Sequence, residues 1–189
     1  MGQWDASVAE WYAEKYGEYP TNRLAVDRFD WEDGLVVVDI GCGTGAALRH
    51  VFTKANMSRL IGVEPIPRMI EIAKERLEAH PARDLIEFIA SPAHTLPLGD
   101  DMADVVLAFD SFDHWGDDEA RNKGLQEVHR ILKPHGTFLV VKDGGIADAQ
   151  AKERFTNKVK AQRFDILDEQ HIEEEDVVFT MWTCQRMRS

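Results

Sequence analysis

Apolar and polar positions along this chain fall into two alternating textures. Compact apolar runs rich in branched residues occur at 35–40 (LVVVDI), 60–63, 85–90, 104–109 and 137–141. Runs of this kind read as strands buried on both faces of a parallel sheet. Between them, apolar residues recur at helical spacing: Leu48, Val51, Phe52 and Ala55; then Ile66, Met69, Ile70, Ala73 and Leu77, stopped by His80-Pro81. The same spacing returns in Leu125, Val128, Ile131 and Leu132, and in Ala147, Ala151, Phe155 and Val159. Two last strands are predicted at 164–172 and 177–184, joined by Glu173-Glu174-Glu175-Asp176, an acid run that reads as a short solvated connection. Strands alternating with helices and closed by a hairpin predict one α/β sheet.

Residues 1–34 read as a helical cap added to a core at 35–189, the whole forming a single domain. Val8, Trp11, Tyr12, Lys15 and Tyr16 fit a helix with one aromatic face, ended by Gly17 and Pro20, and Leu24, Val26 and Phe29 fit a second helix. The aromatic residues either pack the cap on the sheet or, through Tyr12, Tyr16 or Tyr19, close over a ligand.

The chemistry is concentrated where the first strand ends. Asp39 is followed by Gly41, Gly43 and Gly45 and then by a helix. Bare backbone at such a turn lets a ligand approach closely, and in open α/β sheets ligands bind beyond the carboxyl ends of strands. Gly41-x-Gly43-x-x-Ala46 also satisfies the relaxed dinucleotide fingerprint, with Glu64 near the spacing of a ribose-binding acid. Asp39 argues against a dinucleotide, because a carboxylate beside a pyrophosphate would repel it, whereas a cationic cofactor would tolerate it. Glu64 closes the second strand, where a carboxylate can take one hydrogen bond from each hydroxyl of a ribose.

The run D39-I-G-C-G-T-G45 closely resembles motif I of the class I S-adenosylmethionine-dependent methyltransferases, and R130-I-L-K-P-H-G136 resembles the turn that precedes the fifth strand in small-molecule members of the methyltransferase-11/25 type. In the second motif His135 stands where the family usually has glycine. The resemblance covers most of residues 35–184. It implies a Rossmann-like, doubly wound seven-stranded sheet of order 3-2-1-4-5-7-6 with an antiparallel terminal hairpin, and S-adenosyl-L-methionine as cofactor. It also implies that Asp39, Gly41, Cys42, Gly43 and Gly45 hold the amino acid end of the cofactor. Glu64 and Pro65 would hold the ribose side, and Ile66 and Met69 would pack on the adenine. Cys42, on the residues alone, is a small neutral filler. Tyr12 matches the aromatic residue of an opening W/F-D-x-x-A-x-x-Y motif that begins here at Trp4-Asp5, with looser spacing. Leu96-Pro97-Leu98 matches a third family segment, but Pro92 stands where the family places an acid on the adenine amino group. Ser91, Ala93 and His94 are then left to hold the adenine.

Phe109 ends the fourth strand, and Asp110-Ser111-Phe112-Asp113-His114-Trp115 follows it, where the family places residues that touch cofactor and acceptor. His114, Asp113 and Asp110 are the candidates for a general base toward a hydroxyl or amine acceptor. No D/N-P-P-Y/F box of the nucleic-acid amino methyltransferases occurs. The formal net charge of −12 agrees with that, since a strongly acidic surface disfavours nucleic acid and anionic membranes. Two cysteines without a CxxC pair signal neither zinc nor a disulfide framework, and no metal site is expected. No apolar stretch is long enough to span a membrane, the opening MGQWDASVAEW is not a secretory signal, and Ala6 removes the myristoylation reading of Gly2, so a cytoplasmic protein is expected. The leading expectation is methyl transfer to a small-molecule acceptor by in-line displacement. Two alternatives stand beside it: an NAD-dependent oxidoreductase, and a non-catalytic S-adenosylmethionine-binding module acting on a partner protein.

Overall fold

The structure, a computed structural model, describes residues 6–144 and 149–187. Trp4, Asp5 and Ala147 lie outside the described residues. The elements in order are α1 (Ala6–Tyr16), α2 (Pro20–Val26), β1 (Val36–Ile40), α3 (Ala46–Phe52), β2 (Arg59–Glu64), α4 (Pro67–Leu77), β3 (Ile86–Ala90) and β4 (Ala103–Phe109). A single 3-10 turn (Phe112–His114) leads to α5 (Asp118–Ile131), β5 (Leu132–Asp143), α6 (Ala149–Ala161), β6 (Phe164–Glu174) and β7 (Val177–Arg186).

The strands form one seven-stranded sheet of order β3-β2-β1-β4-β5-β7-β6, as the family resemblance implies. The first five run parallel, and β7 is antiparallel to both β5 and β6. Strand alternation sends Val38 and Ile40 to one face, where they meet Leu125 and Val128 of α5 and Phe155 and Val159 of α6. Val37, Leu107 and Leu139 face the other side, against Leu24 of α2 and Leu48 and Val51 of α3. Both faces are covered, which is why the inner strands read as unbroken apolar runs rather than as alternating ones.

Three sequence expectations change on contact with the fold. Of the aromatic face of α1, Tyr12 packs at the seam with α4, but the close contact is made by smaller residues. Ala9 and Ala13 fit against Met69 and Ile72 of α4, while Trp11 stays more than half exposed with the Lys15 ammonium over its ring. Small residues allow the two helices to approach closely, and the spacing of the larger aromatics concealed that seam. The acid run before β7 is more than a solvated turn. Glu175 and Asp176 both adopt positive φ, the two-residue geometry whose twist suits a hairpin, and Glu174 and Glu175 pair with Arg28 at 2.7 Å and Arg23 at 2.5 Å. The hairpin is thereby tied to the segment around α2. Finally, β5 begins at Leu132 rather than Thr137. Leu132 pairs with Ala103, the pairing jumps to Thr137 opposite Val105, and His135 takes φ +67° within that excursion. The left-handed conformation explains why glycine is the usual residue there.

Candidate functional site

The connection from β1 to α3 is built by glycines with three different tasks. Gly41 (φ +74°) has no room for a side chain, because an added Cβ would lie 2.4 Å from the Ser111 Cβ. Its N–H and that of Cys42 donate to the Val63 carbonyl at 2.8 and 3.1 Å, which folds the loop back over the end of β2. Gly45 (φ +74°) is the residue from which α3 starts, and it packs on the Phe88 ring. Gly43 (φ +52°) differs: a Cβ there would meet nothing within 4 Å. The bare backbone at Gly43 faces open space on the wall of a cavity of about 1280 Å³. That is larger than the roughly 300–1,000 Å³ of an ordinary small-molecule site.

Two carboxyl groups sit behind and beside this loop. Glu64 is buried at the end of β2, where its Oε2 accepts the Gly43 N–H at 3.1 Å and its Oε1 the Ile66 N–H at 3.0 Å. These bonds fix the carboxylate plane at the cavity wall and leave lone pairs on both oxygens. Burial raises its pKa, and the two amides oppose that rise. Asp39 is 2% exposed, in register between Gly62 of β2 and Leu107 of β4. Burial, with the Glu64 charge second, pushes its carboxyl up to about 8. Among the described residues no Lys or Arg forms an ion pair with either acid. A buried carboxyl without a cationic partner is costly to ionise, so the arrangement suits a ligand that brings positive charge of its own.

The cavity wall takes in most of the predicted cofactor residues. Gly41, Cys42 and Gly43 line it at the loop, Glu64, Pro65 and Met69 after β2, Ser91 and Ala93 after β3, and Phe109 at the end of β4. Three predicted residues do not line it. Asp39 lies behind the loop and can act through its field but not by contact. Gly45 serves the helix start. His94 faces the protein, with its Nδ1 buried and unpartnered. The Ser91 hydroxyl donates to the Thr95 carbonyl at 2.6 Å and to the Pro92 carbonyl, so its proton serves its own loop. Cys42 is buried and its thiol is pushed well up by burial, as befits a filler rather than a nucleophile.

Tyr12 is on the wall, and burial followed by the Asp110 and Glu64 charges raises its pKa. Tyr16 and Tyr19 line the same wall in a packed series, tilted for Tyr12–Tyr16 with centroids 5.2 Å apart and edge-on for Tyr16–Tyr19 at 5.9 Å. What holds this series over the loop is a knot at Gly17 and Glu18. The buried Thr44 hydroxyl donates to the Gly17 carbonyl at 2.7 Å, Arg49 donates to the Thr44 carbonyl at 2.6 Å, and Glu18 pairs with both Arg49 and Arg76. Thr44 was not singled out by sequence. Its signal, a hydroxyl inside the glycine run, was present but had no visible partner in the linear chain.

The three candidate bases also line the cavity, in different states. His114 is exposed on the 3-10 turn. Asp113 is exposed and paired with Lys142. Asp110 is the most enclosed of the three. It adopts φ +52°, its carboxylate accepts the Asp143 N–H, and burial, less the help of that bond, pushes it up to about 7. Ser111 hydrogen-bonds the Ile40 carbonyl and receives the Trp115 indole N–H at 3.3 Å, fixing the loop against β1. Beyond this loop the cavity continues between α5 and α6, an arm that sequence reading did not foresee. Among the described residues no group of three or more His, Cys, Asp or Glu could hold a metal, and no helix is long and apolar enough to cross a membrane.

Comparison with known proteins agrees with this geometry. The family model described as "Methyltransferase domain" matches residues 38–140. Methyltransferase GfsG of Streptomyces halstedii is 30% identical over 140 residues, 74% of this chain and 48% of that protein. Demethylmenaquinone methyltransferase of Thermotoga maritima is 31% identical over 123 residues, 65% of this chain and 48% of its own length. The chain thus spans about half the length of these curated relatives. Among solved structures, a Haloferax volcanii putative methyltransferase, in complex with the Trm112 activator, superposes with TM-score 0.80 at 19% identity, covering 97% of this chain and 95% of that one. The glycine loop, the strand order and the family match meet in one conclusion: this chain belongs to the methyltransferase domain family of class I S-adenosylmethionine-dependent methyltransferases.

Proposed function

We propose that the chain binds S-adenosylmethionine at the glycine loop and directs methyl transfer to a small-molecule acceptor. The observation that carries this reading is the pair of buried acids, Asp39 and Glu64, set at a bare glycine cradle with no basic partner among the described residues. A sulfonium cofactor with an ammonium group supplies the missing charge. A dinucleotide would add two negative charges instead. Asp39, held largely protonated until positive charge arrives, gives such a ligand no attraction, so the nicotinamide alternative is disfavoured by the charge of the site.

In this reading the Gly41–Gly43 backbone receives the amino acid end and Glu64 the ribose hydroxyls, each on its remaining lone pairs. Met69 and Ala93 flank the base. The bound cofactor brings an activated methyl group on a sulfonium. The chain's part is to place an acceptor in line with that group and keep water out, which is worth roughly 7–11 kcal/mol when reactants are held in near-attack geometry. Tyr12 and Tyr16 on the cap side and Trp115 on the opposite side would do the excluding. For a hydroxyl or amine acceptor, Asp110 would take the proton, because a carboxylate held near neutrality is best matched to that task. The excess of cavity volume over one ordinary ligand supports two ligands held side by side and so favours an enzyme over a cofactor-binding module.

The experiment is a calorimetric titration of the purified protein with S-adenosylhomocysteine and, separately, with NADH, followed by methyl transfer to a panel of small acceptors with Glu64→Ala as control. Binding of the homocysteine compound alone, with turnover lost in the control, is expected. Binding of NADH alone would overturn the reading.

A further inference from the structure

The arm between α5 and α6 carries chemistry of the opposite sign from the rest of the site. Around the glycine loop and the ends of β4 and β5 the wall is acidic on balance, with Glu64, Asp110, Asp113 and Asp143 against one base, Lys142, which pairs with Asp113. In the arm the described wall residues include three basic side chains, Arg121, Arg154 and Lys158, and one acid, Asp118. The bases are positioned by helical spacing. Arg154, Phe155 and Lys158 recur at i, i+1 and i+4 along α6, and Arg121 stands in the first turn of α5. Arg121 donates to the Gly116 carbonyl at 2.8 Å and pairs with Asp118 at 2.5 Å, and Lys158 donates to the Asn122 side chain at 3.3 Å with Asp118 at 3.6 Å. Both are about three-quarters shielded, with side chains 24% and 20% exposed. In a chain of net charge −12, two partly buried cations sharing one carboxylate at a cavity wall are a local concentration of positive charge.

The floor between the two ends is aromatic. Phe112, Phe155 and Trp182 line it in contact, with centroids 5.4 Å apart for Phe112–Phe155 and 4.6 Å for Phe155–Trp182. The site therefore presents an acidic end, an apolar middle and a basic end in sequence.

We propose that the basic end is a subsite for an oxyanion of the acceptor, a carboxylate or a phosphate monoester, carried by a molecule whose apolar or aromatic body lies on Phe155 and Trp182. This rests on the methyl-transfer reading for the identity of the first ligand, but the subsite is defined by its own residues. Arg121 and Lys158 bind the oxyanion, Asn122 and Asn157 supply amide donors beside them, and the far end of the molecule points to Asp110. An acceptor bound in this way is oriented by charge at both ends of the cavity: its anion is drawn to the bases and repelled from the acids next to the glycine loop. That fixes which end is presented for methylation.

The test titrates the full chain, with and without saturating S-adenosylhomocysteine, with three probes of similar body: phenyl phosphate, benzoate and benzyl alcohol. At least one of the two anions is expected to bind tenfold or more tightly than the alcohol, and which one does so distinguishes a phosphate from a carboxylate site. Lys158→Met and Arg121→Gln are each expected to weaken the favoured anion about tenfold, while leaving the alcohol and S-adenosylhomocysteine affinities unchanged. Melting curves check that each variant folds, and Arg121→Lys, which keeps the charge, is expected to retain most of the anion affinity. Anions that bind no better than the alcohol, or anion binding that is undiminished in Lys158→Met, would overturn the proposal. A protein that takes the anions but not S-adenosylhomocysteine keeps the subsite and loses the methyl-transfer reading, so the two failures are told apart.

Discussion

Asp39 offers a quantitative handle on the charge of the bound cofactor. Its carboxyl is pushed up to about 8 by burial and by Glu64, so at neutral pH the ligand-free protein holds it largely protonated. A cationic ligand in front of the glycine loop favours the ionised form, and binding must then expel the proton. With a pKa of about 8, the ionised fraction is about 1% at pH 6, about 9% at pH 7 and about 24% at pH 7.5. Apparent affinity scales with the fraction of the competent state. The full effect, with Asp39 ionised throughout the complex, is therefore a rise in affinity of about 25-fold between pH 6 and pH 7.5 and release of about 0.9 proton at pH 7. Keeping below pH 7.5 leaves the amine of the ligand mostly charged, since an α-amino group titrates near 8.

The assay is titration calorimetry of S-adenosylmethionine in two buffers of unequal ionisation heat, which gives the proton count directly, repeated for Asp39→Asn. Proton release is expected to fall by nearly one in the variant, and its affinity to lose the corresponding slope with pH. A flat pH profile in the unaltered protein, or a proton count that Asp39→Asn leaves unchanged, would refute the electrostatic account of the loop. Proton uptake would refute it more strongly, because it would mean that the ligand brings negative charge to the acids.

Glu64→Gln removes the charge and sets an amide NH2 against the Gly43 or Ile66 N–H, and is expected to raise the Kd for S-adenosylhomocysteine by about 10- to 100-fold, the worth of one charge-assisted hydrogen bond at about 1.5–3 kcal/mol; calorimetry reads it. Gly41→Ala pushes a methyl group against the Ser111 Cβ at a positive φ, and a loss of about 3 kcal/mol, seen as a drop in Tm of roughly 10 °C, is expected. Gly43→Ala meets no neighbour, so its melting temperature should fall much less while cofactor affinity falls at least as far. Asp110→Asn is expected to lower kcat by about 100- to 10,000-fold with KM little changed, and to remove an inflection near pH 7 that His114→Gln leaves in place; steady-state pH profiles decide between them. Since the folded-state pKa values of both Asp39 and Asp110 lie above the usual carboxylate range, the ligand-free protein is expected to lose stability as pH rises from about 4 to about 8. Asp39→Asn should flatten that loss in a series of thermal melts.

How much of this was legible beforehand follows from the range of the interactions involved. The sheet was legible because each strand carries its own signal: residues 35–40 are buried on both faces and say so without reference to a neighbour. The glycine loop was legible for the same reason, since Gly41, Gly43 and Gly45 owe their conformations to a local turn. Their distinct tasks were not, because the neighbour of Gly41 is Ser111 and that of Gly45 is Phe88, each far along the chain. Asp110, Asp113 and His114 were all visible as titratable groups. Their ranking was hidden, because it depends on Asp143 and Lys142 arriving from β5. Ala9 and Ala13 were overlooked since alanine carries little apolar signal, although their smallness is what permits α1 to lie on α4. The arm between α5 and α6 had no linear trace at all. Arg121 and Lys158 look like ordinary solvated charges until two helices separated by a strand are set side by side.

Several of the residues found only in three dimensions tie the cap to the ends of the strands. Thr44 illustrates the logic. It sits between two glycines that a cofactor needs bare, and its hydroxyl goes to the Gly17 carbonyl, the point at which α1 ends. Its own carbonyl receives Arg49, which also pairs with Glu18. The cradle and the tyrosines that line the cavity opposite it are therefore one hydrogen-bonded unit. Displacing the loop by an ångström strains the cap, and lifting the cap leaves the buried Thr44 hydroxyl without its partner, a loss of roughly 1–3 kcal/mol. Such coupling makes the cap and the glycine loop one wall of the cavity. It also places the rigidity of the site at the cofactor end, while the basic arm, resting on two surface helices, is the part free to vary with the acceptor.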